Sequence, residues 1–151
     1  MAADGFQKRS IEINHKNLAT LYFRAYPLDL EGRLQTAKDY NLLLSSREQE
    51  SVLRTQTAVA EWNVSLPATP DYETHRTYVT PPLKTAGCYL VAASAMKDFS
   101  RGEGNRIEAV TLIISDLVLL ALRESTVAVE VRALSGETGR PVAGVITDLY
   151  R

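Results

Sequence analysis

The polar residues most suggestive of chemistry in this sequence are Asp71, Glu73 and His75, which are spaced two apart. On a β-strand that spacing projects all three side chains from one face, and two carboxylates with an imidazole can form a metal-binding set. Side chains two apart on a strand nevertheless lie about 7 Å from each other, which is too far for one ion. We therefore interpret the three as solvent-facing and predict no metal site. His15, the other histidine, has no partner that the sequence identifies.

Two further segments were candidates for catalysis or phosphate binding. Ser115 precedes Asp116 inside an apolar stretch, but the Gly-x-Ser-x-Gly pattern of a hydrolase is absent, so a strand break or turn is favoured. Gly102 and Gly104 are not followed by the Gly-Lys-Ser/Thr ending of a phosphate-binding loop, so they are expected at a loop tip. The sequence predicts no catalytic residue and no cofactor, and we expect the chain not to be an enzyme.

Cys88 is the single cysteine and lies in an apolar run, GCYLVAASA. We expect a buried thiol of low reactivity, because no basic neighbour other than Lys84 is near in sequence to favour the thiolate. One cysteine also excludes an internal disulfide framework and a zinc site made of several thiolates. Asn63 begins a glycosylation sequon, but its place in a predicted strand indicates that the match is incidental.

An aromatic binding strip is the alternative that these residues leave open. It would consist of four tyrosines: Tyr22, Tyr26, Tyr72 and Tyr78. Such a strip, or the loop 96–106, would suit a carbohydrate-binding or adhesion module. Packing within a sheet explains the tyrosines equally well, because tyrosine is favoured in strands and keeps its hydroxyl in water.

Length and composition limit the classes of protein. The chain has 151 residues, is 45% hydrophobic and carries a formal charge of -1, so it has enough apolar residues for a core and no strong field to attract nucleic acid or an anionic membrane. Residues 1–17 contain no apolar run of the signal-peptide type, and the apolar stretch 109–122 is interrupted by Asp116. We expect a soluble domain that lacks a signal peptide and has no nucleic-acid partner.

The elements that must position these residues are mainly strands, since apolar residues recur with a period of two. Residues 28–54 instead show helical spacing, with a capping box at Ser45 and Glu48, or at Ser46 and Gln49, that starts a second short helix. Pro27 is expected to end the preceding strand. About nine strands are predicted, in the segments 11–13, 18–26, 59–66, 72–80, 87–95, 107–115, 117–124, 126–134 and 141–150. The pattern predicts an antiparallel β-sandwich of immunoglobulin-like or fibronectin-like type with a helical insertion at about 28–54.

Four segments in order give the chain a family resemblance. In the first, a Lys-Asn pair precedes an aromatic strand and a Tyr-x-x-Asp-Leu step into a helix, and in the second, an extended strand ends in Pro-Leu before Gly-x-Tyr. In the third, a strand closes with Ser-Asp, and in the fourth, a hairpin turns at Thr-Gly-x-Pro-Val-x-Gly. The corresponding positions are Lys16, Asn17, Tyr26, Asp29, Leu30, Pro82, Leu83, Gly87, Tyr89, Ser115, Asp116 and residues 138–144. Together they resemble a macroglobulin (MG) domain of bacterial alpha-2-macroglobulin-like proteins.

This resemblance implies a non-catalytic structural module of a protease trap, an endopeptidase inhibitor located in the periplasm or outside the cell. Its partners would be neighbouring modules of the same parent chain and, through the parent, host or foreign proteases. In the family a Cys-x-Glu-Gln thioester couples covalently to the protease, but Cys88 is not followed by Glu-Gln and no bait region is recognisable. The reactive segments of such a parent would therefore lie outside these residues.

The resemblance also divides the chain. Residues 9–116 would form the MG sandwich, with a core that includes Phe23, Trp62, Tyr89, Leu112 and Ile114. Residues 117–151 would be the opening strands of a following module, or extra strands on the first. Because so few strands would expose apolar faces and unpaired edges, we expect them to pack back on the sandwich or to associate with another copy of the chain.

Overall fold

The computed structural model describes residues 10–36, 43–68, 71–123 and 129–148, and the chain there is mainly β, with antiparallel sheets. Eight strands lie in these ranges: β1 (Ile11–His15), β2 (Thr20–Leu28), β3 (Ala60–Ser65), β4 (His75–Val79), β5 (Gly87–Ser94), β6 (Glu108–Ile114), β7 (Leu117–Arg123) and β8 (Val129–Ser135). Two helices, α1 (Leu30–Thr36) and α2 (Ser46–Thr55), lie between β2 and β3 in the chain.

The strands form three antiparallel sheets. A four-stranded sheet has the order β3-β2-β5-β6, and two two-stranded sheets consist of β1 with β4 and of β7 with β8. The β1–β4 sheet packs on one face of the four-stranded sheet, and this arrangement is consistent with a β-sandwich. The alternation of β2 is as predicted, because Leu21 and Phe23 enter this core while Tyr26 points to the opposite face.

The core between these two sheets surrounds Phe23, which is 2% exposed. The indole of Trp62 stacks on the Phe23 ring, with centroids 5.0 Å apart and planes at 7°. Tyr89, Leu112 and Ile114 are buried in the same core, as predicted. Trp62 itself is only partly buried, because β3 is an edge strand of its sheet.

A second, smaller core covers the other face of the four-stranded sheet. Val52 of α2 and Leu44 pack there against Tyr26 and Leu90. The predicted capping box at Ser45 and Glu48 is confirmed: each of the two residues accepts a hydrogen bond from the other's backbone N–H. Strand β5 therefore lies between two apolar layers, as the apolar residues on both of its faces predicted.

Two strand predictions were wrong in detail. β2 does not end at Pro27 but continues to Leu28, because its pairing with β3 stops at Ala25 and a residue without an N–H is tolerated beyond that point. The last predicted strand, 141–150, is not formed in its described part, residues 141–148. Pro141 makes a single bridge to Leu134, and Gly144 then takes a left-handed φ of 73°, which turns the chain.

Candidate functional site

A polar cluster that the sequence did not predict lies at the end of the β1–β4 sheet. His15 and His75 are direct partners in the strand register, and their rings face each other with centroids 6.3 Å apart. His15 is 5% exposed, and its Nε2 lies 3.0 Å from the hydroxyl of Thr77. Its Nδ1 is buried and has no hydrogen-bond partner. Only the antiparallel pairing of β1 with β4 brings these two histidines together.

Asp71 completes this cluster, but not in the way that its spacing suggested. Tyr72 has a left-handed φ of 57°, and β4 begins only at His75, so Asp71, Glu73 and His75 do not share one face of a strand. The chain instead turns back, and the Asp71 carboxylate lies 2.8 and 3.0 Å from His75 Nε2. The hydrogen bonds from His75 and from the Glu73 backbone N–H lower the pKa of Asp71.

The chemistry open to this cluster is restricted. A threonine hydroxyl beside an imidazole resembles a nucleophile with its base, but such a pair also needs an acceptor that orients the second ring nitrogen. His15 Nδ1 lacks that acceptor, and the side chain of Glu73 is exposed. Within the described ranges, no group of three or more His, Cys, Asp or Glu residues is placed to hold a metal ion. The cluster ties β1 to β4 through polar contacts.

The other sequence candidates occupy separate places. Ser115 lies in the link between β6 and β7, where its Oγ accepts from Leu117 N at 3.0 Å and donates to Leu117 O at 3.1 Å, which forms a turn. Gly102 and Asn105 form a bridge in the loop after β5. Asn63 is exposed on β3. Cys88 is buried on β5, and burial raises the pKa of its thiol, so the reactive thiolate is disfavoured.

The four tyrosines do not form one strip. Tyr22 and Tyr26 lie on the face of β2 that meets the second core, where Tyr26 is 2% exposed. Tyr78 projects from the outer side of β4, where its hydroxyl donates to Glu12, and Tyr72 precedes that strand. The aromatic surface that the structure does form is a pocket of about 210 Å³, lined by Tyr22, Phe23, Trp62 and Phe99 together with Glu61, Asn63 and Lys97.

A cleft of about 540 Å³ lies beside β1. Every residue of β1 lines it, including the outward-facing Glu12 and Asn14, so the edge of that strand forms one wall. Residues 108–110 of β6 form the opposite wall. The floor is apolar and consists of Leu21, Phe23, Val91, Ala93 and Val110. The rim carries charged groups from Lys16, Arg106 and Glu108.

An exposed apolar hairpin is the second prominent surface. Leu117, Leu119 and Leu122 of β7 are 42%, 56% and 43% exposed, and Val131 of β8 is 49% exposed. Among the described elements, the extensive contacts of β7 and β8 are with each other. Whether these strands pack back on the sandwich or associate with another copy of the chain stays a prediction. The apolar faces of the hairpin are left open.

Neither helix that the structure describes has the length and continuous hydrophobicity needed to cross a bilayer.

Comparison with known proteins does not assign this arrangement to a family. No protein-family model, no curated protein and no solved structure matches the chain.

Proposed function

We propose that this chain is a non-catalytic structural module of a macroglobulin-like protease trap. In this proposal the sandwich is of the immunoglobulin-like MG type, residues 28–54 are a helical insertion, and residues 117–151 begin the next module. The parent protein would be periplasmic or extracellular, and its bait region and any thioester would lie in other segments. The module would hold those segments apart until a protease cleaves the bait.

The observation that carries the proposal is where the resemblance residues fall in the fold. Asp29 accepts a hydrogen bond from Gly32 N at 2.9 Å and caps α1, of which Leu30 is the first residue. Tyr26, the first residue of the same Tyr-x-x-Asp-Leu step, is buried in the second core. Asn17 takes a left-handed φ of 50° in the turn that joins β1 to β2. The motif residues thus fall where strands and helices begin or end, and particular residue types are required at such positions.

The later segments of the resemblance also fall at or near the ends of strands. Leu83 is buried in the main core between β4 and β5, and Gly87 is the first residue of β5. The Tyr89 hydroxyl donates to Thr85 O at 3.0 Å, which fixes the approach to that strand. Ser115 directly follows the last residue of β6, and Gly139 takes a left-handed φ of 67° in the turn after β8. This distribution favours a patterned family likeness over a chance match of strand composition.

The test compares the full polypeptide that the gene encodes with the 151-residue chain. Each is incubated with trypsin, and cleavage of a large protein and of a small peptide substrate is measured. We expect the full polypeptide to suppress only cleavage of the large substrate, because a caged protease still admits small peptides. The chain alone should change neither rate. A full polypeptide without this difference, or a gene that ends near Arg151, would refute the trap.

A second candidate function, carbohydrate binding, is favoured by the aromatic pocket at Tyr22, Trp62 and Phe99. Aromatic rings beside carboxylate, amide and ammonium groups suit a sugar, which has apolar faces and many hydroxyls. The test is titration with a panel of oligosaccharides while the fluorescence of Trp62 is recorded. Binding that Phe99→Ala removes and Val59→Ala preserves would support this function, whereas no saturable signal at millimolar sugar would reject it.

A further inference from the structure

Three arginines from separate parts of the chain meet at one pocket. The pocket has a volume of about 290 Å³ and shares no lining residue with the cleft beside β1. Its arginines are Arg24 of β2, Arg54 of α2 and Arg101 of the loop after β5. Like charges that converge repel each other, so this convergence raises the energy of the folded chain unless anions offset it. The lining therefore has the composition of an anion-binding site.

The carboxylates near these arginines offset only part of the positive charge. Arg24 Nε lies 3.0 Å from Glu61, and Arg101 lies 3.4 Å from Glu50. None of the ion pairs formed within the described ranges includes Arg54. Arg54 is exposed at the last turn of α2 and lines the pocket, so its guanidinium is available to an anion from solution.

The charge of the lining indicates how many negative charges the pocket takes. Two carboxylates, Glu50 and Asp98, line it together with the three arginines, which leaves a net charge of +1. The neighbouring aromatic pocket adds Lys97 and Glu61, whose charges cancel. Asp98 accepts a hydrogen bond from Ser100 N at 3.1 Å. A ligand with a single negative charge would therefore neutralise the site.

Phe99 forms the wall between this pocket and the aromatic one, since it lines both. Its φ of 56° is left-handed, which costs energy for a bulky residue, and backbone strain of this kind concentrates at functional sites. A polar hub holds the loop in place. Asn105, 9% exposed, accepts from Ala95 N at 3.0 Å and donates to Ser94 Oγ and to Ser100 O. The loop thus places the Phe99 ring before any ligand arrives.

The ring of Phe99 also positions a guanidinium. Arg24 lies over it, 4.3 Å from the centroid, which covers one face of the guanidinium. Tyr26, which is 2% exposed, lines the same pocket. Burial raises the pKa of Tyr26, so its hydroxyl stays protonated and can donate a hydrogen bond. Leu53 and Ile107 complete the lining with apolar side chains. Cationic and apolar surfaces therefore meet in one concavity.

The volume restricts the size of the ligand. A water molecule takes about 30 Å³ of liquid, so 290 Å³ corresponds to about ten waters or a ligand of about ten non-hydrogen atoms. A bare phosphate or sulfate would fill only about half of this space. Guanidinium groups bind planar carboxylates through paired hydrogen bonds, and the apolar lining suits a ring. A singly charged carboxylate on an aromatic ring matches the size, charge and lining together.

We propose that this pocket binds a small aromatic carboxylate. Its carboxylate would bind Arg54 and Arg101, and its ring would lie among Leu53, Phe99 and Ile107. Arg54 supplies the positive charge that the described carboxylates leave unpaired. This inference concerns a different pocket from the one discussed for sugars, and it depends neither on the protease trap nor on carbohydrate binding.

The first test is an NMR titration of the ¹⁵N-labelled full chain with benzoate, which has nine non-hydrogen atoms. We expect saturable shifts of amides 50–54 and 98–101 with a dissociation constant of about 10 mM or tighter. Benzamide, which has the same shape without the charge, should bind at least about tenfold more weakly. Benzamide that binds as tightly as benzoate would overturn the role of the arginines. Inorganic phosphate that binds as tightly would overturn the aromatic part of the proposal.

The second test assigns the charge to one residue. Arg54→Gln should weaken benzoate binding by about tenfold or more and leave benzamide binding unchanged, because it removes the unpaired guanidinium. Arg47→Gln is the matched control, since Arg47 is exposed on the same helix and does not line the pocket. Trp62 fluorescence on heating verifies that both variants are folded. Equal benzoate binding by Arg54→Gln and wild type, or no saturable shift in the wild type, would overturn the site.

Discussion

At the scale of single residues, Phe23 and Trp62 form a stacked pair in the core between the two sheets. Phe23 is 2% exposed on the central strand β2, and its cross-strand partner Trp62 stacks on it from the edge strand β3. Trp62 is also the only tryptophan in the sequence, so its fluorescence reports on this core alone. Because the two rings stack, a substitution of Phe23 should change the stability of the chain strongly, and Trp62 fluorescence can measure that change.

We expect Phe23→Ala to lower the free energy of unfolding by about 3–5 kcal/mol, because it removes buried surface and leaves a cavity beneath Trp62. Urea denaturation followed by Trp62 fluorescence measures this loss. Val59→Ala, at a site that is 57% exposed, should change stability by no more than about 0.5 kcal/mol. Equal effects of the two substitutions would contradict the assignment of Phe23 to the core.

Sequence alone could identify Phe23 and Trp62 as core residues, but it could not find the histidine cluster. Alternation along one strand predicts which side chains share a face, whereas the pairing of His15 with His75 depends on which strands become neighbours. The expectation that Asp71, Glu73 and His75 share one strand face was wrong for a different reason. It assumed an extended backbone, but the left-handed φ of Tyr72 turns the chain and brings Asp71 to His75.

At the scale of elements, α2 shows how a local signal can specify one helix. Ser45 accepts a hydrogen bond from Glu48 N, while the Glu48 carboxylate accepts from Ser45 N at 2.8 Å and from Arg33 at 2.9 Å. The bonds from Ser45 and Arg33 lower the pKa of Glu48 to about 2. The capping box was predictable because all of its residues lie within one turn. The ion pair with Arg33 was not, because it depends on how α1 meets α2.

We expect Ser45→Ala to destabilise α2 by about 0.5–2 kcal/mol and to raise the pKa of Glu48 toward its ordinary value. Because the folded pKa lies below the unfolded one, the contribution of this carboxylate is present above pH 4.5 and is lost as the pH falls toward 2. Carbon-13 NMR titration of the Glu48 carboxyl measures both effects. Ser51→Ala, at an exposed position within α2, is the control. An unchanged pKa in Ser45→Ala would contradict the cap.

At the scale of the whole molecule, the described chain contains two unequal apolar units. The sandwich has cores on both faces of its four-stranded sheet, whereas the β7–β8 hairpin has no described core of its own. The break between β6 and β7 was predictable, because Ser115 and Asp116 interrupt the apolar stretch. The direction that the hairpin takes after that break was not, because period-two patterning does not specify which sheet an apolar strand joins.

Hydrogen exchange should separate these two units. In dilute solution, we expect the amides of β7 and β8 to exchange at least about tenfold faster than those of β5, because β5 is buried on both faces. Mass spectrometry of peptides from a 1 μM sample measures the difference. Hairpin amides as slow as those of β5 at 1 μM would contradict this view.

The pairing of β1 with β4 has a further consequence for synthesis of the chain. The contact between His15 and Thr77 joins residues 62 positions apart. At about 5–20 residues per second, a ribosome needs about 3–12 s to make that interval. Throughout this time Ile11 and Ile13 of β1 remain without strand β4, which later pairs with them. A nascent chain stalled before residue 75 should therefore recruit chaperones that bind extended apolar segments, and one extended past Val79 should release them.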